Sequence, residues 1–244
     1  MSASPLEVVR AAIFNLLLWL WTGLMVLVTL PLALVVTPQG MRNIARFWMR
    51  GIQLLLRICV GLRYEVRHAG RLPATPVIVA SKHQSAWETL FFHLLRADLV
   101  IGLKDELTRI PLFGWYLMVA QNIRIDRGGA AKAMRSLIEG ARAAVGKGWS
   151  ILIFPEGTRT APGDPPDYKP GVAALYRELG VPVVPVALNS GMFWGRRAFL
   201  KRPGTIVVEV LEPIEPGMDR KAFMVELERR IETATTRLCA EAKA

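Results

Sequence analysis

Cysteine is scarce in this chain: Cys59 and Cys239 are the only two in 244 residues. Thiols so far apart make neither a disulfide framework nor a metal site. Cys59 falls in an apolar stretch and reads as a packed core thiol, compatible with a reducing compartment. Lysine is absent through residue 70, where seven arginines face two acids. Charge of either sign is absent from Ala11 to Val36. Zinc-finger spacing, basic-zipper heptads and an aromatic RNA-binding consensus are missing, so no nucleic-acid partner is expected. There is no internal repeat. A Gly-x-Ser-x-Gly elbow is lacking, which counts against that form of serine hydrolase. No metal cluster or dinucleotide loop is apparent, and no tightly bound cofactor is expected.

What is present is a mixture. The chain is 52% hydrophobic and 21% charged, with a formal net charge of +11. Mean hydropathy is +0.31. The length allows one sizeable domain with an appendage. The arginines flank the uncharged run, which favours a membrane surface as the anionic partner. As a helix, Ala11–Val36 would extend roughly 39 Å at about 1.5 Å per residue. A bilayer core is about 30 Å thick. The run can span with tilt, or kink at Pro31 into a re-entrant segment. It is too long for a signal-peptide core.

Met41–Leu62 reads as an amphipathic helix. At about 100° per residue, Arg42, Arg46, Arg50 and Arg57 fall within roughly 80° of arc. Phe47, Trp48, Ile52, Leu55 and Leu56 cover much of the rest. Such a helix suits the headgroup level, or packs on the domain as an ordinary helix. The arginines also favour a cytoplasmic position for this end. Residues 1–62 are therefore expected to anchor, and 63–244 to form the catalytic domain.

From Arg63 short β-rich runs alternate with helical ones. Strands are expected at Pro76–Ala80, Leu99–Leu103, Ile123–Asp126, Ser150–Phe154, Val183–Leu188 and Thr205–Leu211. Helices are expected near Ser85–Leu95, Glu106–Ala120, Ala130–Val145, Gly171–Leu179 and Asp219–Ala242. This pattern predicts an α/β fold, a mixed sheet flanked by helices, carrying an N-terminal two-helix membrane motif. Ala161–Pro170 is a loop by composition.

Three polar blocks follow strands. Ser81–Glu88 places His83 just past one, where α/β proteins bind ligands. With His83 in the turn, its ring can fold back over Glu88, and the carboxylate can hold one imidazole nitrogen. Ser85-x-x-Glu88 is equally a capping box, which would make the acid structural. Phe154–Arg159 follows another strand. There Gly157 permits close backbone approach, while Thr158 and Arg159 offer donors to anionic oxygens. A turn with a solvated arginine is the plainer reading. In Asn122–Arg127, Arg127 ends a strand and is either a phosphate ligand or a surface charge.

The order of these blocks resembles the glycerolipid acyltransferases, specifically the 1-acylglycerol-3-phosphate O-acyltransferase family. His83 and Glu88 fit its histidine, four residues, then an acid. Lys104–Leu107 and Pro111–Gly114 resemble the second region, which leads to an arginine at Arg127. Phe154–Arg159 matches the third block, Val181–Val186 the fourth, and Lys169–Gly171 the short basic-glycine element between them. The resemblance covers roughly Val77–Asn189. Glu88 stands where Asp is usual, Lys82 where Asn commonly precedes the histidine, and Arg124 where an apolar residue is commoner.

The resemblance implies acyl transfer from acyl-CoA or acyl-carrier protein to lysophosphatidic acid. It implies His83 as general base and Glu88 as its partner. Lys104, Arg127 and Arg159 become candidates for the acceptor's phosphate, and Glu156, Gly157 and Thr158 for the acceptor pocket. Expected partners are the lysophospholipid, the thioester donor and a phospholipid membrane, at its cytoplasmic face. Glycerol 3-phosphate or another lyso-lipid is the alternative acceptor. A non-enzymatic membrane-binding module would leave the ordered polar blocks unexplained.

Overall fold

The structure is a computed structural model that describes residues 4–32, 35–110, 113–125 and 128–243. Helix α1 (Pro5–Thr29) opens with a full capping box between Ser4 and Glu7. It ends before Pro31. Helix α2 (Pro38–Leu55) is capped by Thr37 and carries Pro at its first position, where the missing N–H costs nothing. A π-helical turn, Leu56–Val60, completes it. The two helices form a hairpin. Trp21 Nε1 donates to the Trp48 carbonyl and Trp48 Nε1 to Thr22 Oγ1. Gly51 permits the approach, since a Cβ there would sit 2.4 Å from the Trp21 ring.

Among the described residues seven strands follow: β1 (Leu62–Arg67), β2 (Ile78–Ser81), β3 (Leu99–Lys104), β4 (Ile123–Ile125), β5 (Ser150–Ile153), β6 (Val183–Leu188) and β7 (Gly204–Val210). They form one sheet in the order β1-β7-β6-β2-β5-β3-β4. Every pairing is parallel except β6 with β7. The expected mixed α/β sheet is thus present. Strand β1 was not among the expected strands. Its alternation is mostly exposed, and it is recruited by pairing with β7 over Leu62–Arg67.

The sheet's alternation divides the core. Val77, Val79 and Leu152 face a cluster that contains Phe14 of α1 and Ile52 and Leu56 of the hairpin. Ile78, Ala80 and Ile151 face the other side. That side is covered by α5 (Ala130–Gly146), α6 (Gly171–Leu179) and α7 (Arg220–Glu241). Because β2 is buried on both faces, its sequence is a continuous apolar run. The N-terminal hairpin shares the first cluster, so it packs as part of the domain.

Two expected helices are broken. Ser85–Leu95 is a 3-10 turn at Glu88–Leu90 followed by one turn of helix, α3 (Phe92–Leu95). Phe91 leaves helical geometry at φ −129°, and Trp87, Phe91 and Phe92 are all buried. Glu106–Ala120 likewise resolves into a 3-10 segment, Asp105–Arg109, and α4 (Phe113–Val119).

The arginine stripe also needs correction. Arg42 is buried, donates to the Ala120 carbonyl and Gln39, and stacks over Trp149 at 4.1 Å. It faces protein, not headgroups. Arg46 is half-buried, while Arg50 and Arg57 are exposed.

Candidate active site

Parallel pairing points β2, β5, β3 and β4 the same way, so the segments that leave them emerge at one edge of the sheet. This is where α/β sheets hold ligands. The first segment leaves β2 at Ser81. The Lys82 N–H still pairs with the Val186 carbonyl, and His83 then turns out of the sheet. Glu88 is fully buried, and its Oε1 accepts from the backbone N–H of Gln84 at 2.6 Å and Ser85 at 2.9 Å. Ser85 Oγ accepts from the Trp87 N–H. The acid side of the capping box is therefore real.

The same carboxylate also faces the histidine. His83 Nδ1 lies 3.9 Å from Glu88 Oε1, beyond hydrogen-bond distance. His83 Nδ1 and Glu88 Oε2 are both buried, with no hydrogen-bond partner among the described residues. Capping and ring-facing roles are thus compatible in one side chain. The imidazole stacks on Phe154 at 3.9 Å and 18°, which fixes its plane. Its side chain keeps 11% exposure.

Phe154 belongs to the second segment, which leaves β5. The Gly157 N–H donates to the Phe154 carbonyl and closes a turn. Gly157 is at φ +64°, and a Cβ there would meet only Lys169 Cγ at 3.7 Å. The glycine therefore serves the turn's left-handed backbone more than close approach. Glu156 points inward and is 1% exposed. Its Oε1 takes Lys82 Nζ at 2.7 Å and its Oε2 the His83 N–H at 3.2 Å. Thr158 is exposed and Arg159 half-buried. Among the described residues the Arg159 side chain has no carboxylate within salt-bridge distance. The Thr160 N–H donates to the His83 carbonyl at 2.8 Å, stitching the two segments together.

Lys104 ends β3, which lies beyond β5 from β2; only its backbone is described. Arg127 and Asp126 lie outside the described residues, as do Pro111 and Leu112 of the second block. Val183–Val186 of the fourth block forms part of β6, against β2. The sheet thus brings His83, Glu88, Glu156 and the Arg159 turn together.

Sequence reasoning did not find Glu232, which Lys82 contacts, or Tyr168, which contacts Glu232. Glu232 lies 150 residues away on α7, and Tyr168 sits in the Ala161–Pro170 loop. No local spacing joins them. An unusual lysine beside the histidine was the only available signal.

The sequence profile of the acyltransferase family matches residues 63–189. The 1-acyl-sn-glycerol-3-phosphate acyltransferase of Pseudomonas aeruginosa is 36% identical over 200 residues, covering 82% of this chain and 78% of its own. The lyso-ornithine lipid O-acyltransferase of the same organism is 29% identical over 217 residues, covering 82% and 80%. The crystal structure of the 1-acyl-sn-glycerophosphate acyltransferase PlsC from Thermotoga maritima shares the fold. Its TM-score is 0.72 at 21% identity, covering 93% of this chain and 97% of that one. The chain belongs to the 1-acylglycerol-3-phosphate O-acyltransferase family.

Proposed function

We propose that this protein transfers a fatty acyl group from acyl-CoA or acyl-carrier protein to the free hydroxyl of 1-acylglycerol 3-phosphate, giving phosphatidic acid. The observation that carries the reading is His83 at the end of β2, its Nδ1 turned toward the buried Glu88 carboxylate. A hydroxyl is a poor nucleophile until its proton leaves as it attacks. His83 takes that proton through Nε2 while Glu88 stabilises the imidazolium. The hydroxyl oxygen bonds to the thioester carbonyl carbon, a tetrahedral oxyanion forms, and the thiolate departs with the proton from His83. The proposed contact needs the 3.9 Å separation to close to hydrogen-bond distance in the acceptor complex.

Arg159, which has no carboxylate within salt-bridge distance among the described residues, binds the acceptor's phosphate together with Lys104 and Arg127. Gly157 and Thr158 line the acceptor pocket, and Glu156 shapes it from beneath by holding the His83 backbone. The phosphate favours lysophosphatidate over a lyso-ornithine lipid, whose acyltransferase is nonetheless a relative.

Residues 1–62 anchor the enzyme, and residues 63–244 carry the chemistry. Helix α1 is apolar enough to cross a membrane. Yet it touches the rest of the chain near Phe14 and Asn15, and again at Thr29 through Tyr116. These points are roughly 22 Å apart at about 1.5 Å per residue. A helix held along its length favours lying in the headgroup plane, with Leu16, Trp19, Leu20 and Leu27 exposed to lipid. The cytoplasmic leaflet suits the exposed arginines and a soluble donor.

The test is purified protein with lysophosphatidate, glycerol 3-phosphate or lyso-ornithine lipid, each with acyl-CoA or acyl-carrier protein, followed by lipid analysis. Phosphatidate is the expected product. Acylation of another acceptor in its place would overturn the substrate assignment, and no thioester-dependent product would overturn the enzyme reading.

A further inference from the structure

Directly behind His83 lies a charged network that acyl transfer does not consume. Lys82 is 2% exposed. Its Nζ donates to Glu156 Oε1 at 2.7 Å and to both oxygens of Glu232, at 2.9 and 3.1 Å. The Tyr168 hydroxyl donates to Glu232 Oε1 at 2.9 Å. Glu156 Oε2 accepts the backbone N–H of His83. A continuous path therefore runs from α7 and the Ala161–Pro170 loop, through two acids and a lysine, to the main chain of the proposed base.

Such a network is a poor source of stability, because desolvating three charges offsets most of their attraction. What it supplies is geometry. Lys82 has three N–H donors, all spent on the two carboxylates, so it has one place to sit. Glu156 is then fixed at both oxygens. Burial and the neighbouring Glu232 carboxylate push the Tyr168 hydroxyl upward, which keeps it protonated as a donor.

We propose that Glu232 and Tyr168 are positioning residues for the acyl transfer: they fix Lys82, which fixes Glu156, which fixes the His83 backbone so that its ring stays between Glu88 and Phe154. The inference rests on the reading of His83 as the base. A residue without charge at position 82 would need no acid on α7, so Lys82 and Glu232 form a matched pair in this chain.

The experiment uses the full chain in its membrane or detergent, with kcat and both KM values measured beside thermal stability. Glu232→Leu removes both acceptors, and kcat should fall by about 10- to 100-fold, the scale of a small displacement of a reacting group. Both KM values should stay within about twofold, as for loss of a contribution made only in the transition state. Glu232→Gln, which keeps an acceptor for Lys82, should recover most of the rate. The chain has three histidines, so labelled imidazole NMR gives a second readout. The His83 ring resonances should move in Glu232→Leu while those of His68 and His93 stay. Where Glu232→Leu does not fold, Tyr168→Phe takes its place, with a smaller fall in kcat and the same displaced resonances. Unchanged kcat with unmoved His83 resonances in the folded variant overturns the proposal. His83→Ala runs alongside. If it stays active, the acyl-transfer reading fails; if it is inactive while Glu232→Leu is fully active, only the positioning role fails.

Discussion

His83 and His93 are ten residues apart, both buried, and both hold an Nδ1 with no hydrogen-bond partner among the described residues. Their surroundings have opposite sign. His83 stands at the sheet's carboxyl edge with Glu88 Oε1 3.9 Å from its Nδ1. His93 lies in α3 against the N-terminal hairpin. Burial, then the charges of Arg42 and Arg46, lower its pKa to about 4. What faces each ring differs: a carboxylate for His83, two guanidiniums for His93. Burial alone therefore does not mark a base. In the proposed mechanism the strand end and the carboxylate facing the ring set His83 apart.

The comparison breaks most visibly in turnover. His83→Ala should lose about 10²–10⁴ in rate, the usual worth of a general base, while His93→Gln keeps near-normal phosphatidate formation. Comparable losses in both folded variants would erase the distinction.

The next effect belongs to His93 and to stability. Its folded pKa of about 4 lies below the ordinary 6.5. As pH falls below 6.5, the unfolded chain gains a proton that the folded chain refuses. Stability is thus lost progressively down to about pH 4, by on the order of 3 kcal/mol for a shift of this size. His93→Gln should flatten that part of the acid-unfolding curve, read by denaturant midpoints at pH 7 and pH 4.5. An unchanged slope would mean that His93 is protonated in the fold.

Glu88 sharpens the contrast, since it both caps the turn and faces the ring. Glu88→Gln keeps an oxygen for the Gln84 and Ser85 N–H groups and removes the charge. Rate should fall roughly 10- to 100-fold, from about 1.5–3 kcal/mol of charge-assisted interaction. Intact turnover with about 1 kcal/mol less stability would make the acid a cap alone.

The arginines repeat the pattern at smaller scale. Arg159→Ala should weaken use of lysophosphatidate by up to about 3 kcal/mol and spare the thioester donor; unchanged acceptor affinity would misplace the phosphate site. Arg50 and Arg57 are exposed, Arg42 is not. Replacing Arg50 and Arg57 with glutamine should weaken binding to anionic vesicles by about 1 kcal/mol each. Arg42→Gln should instead lower stability, having lost the Ala120 and Trp149 contacts.

Much of this was legible in the sequence, and what was not has physical reasons. Six strands were expected close to their observed places because buried parallel strands are short apolar runs with turn residues around them. Strand β1 was missed because it is half-exposed and exists only through its pairing with β7. The helix at Ser85–Leu95 is interrupted where Phe91 leaves helical geometry, a break that apolar spacing alone does not reveal. Arg42 was assigned to the headgroups because periodicity gives a face but not what covers it; Ala120 and Trp149, far along the chain, cover it. The His83–Glu88 pairing could be framed locally. The Lys82–Glu232 contact could not, since it depends on α7 returning beneath the site.

The central claim is that His83 removes the acceptor's proton. Its most direct test is turnover of folded His83→Ala with lysophosphatidate and thioester donor, without and then with added imidazole. The account predicts phosphatidate formation lost in the variant and partly recovered as imidazole fills the vacated space. Turnover near that of the unmodified protein, with no imidazole present, would contradict it.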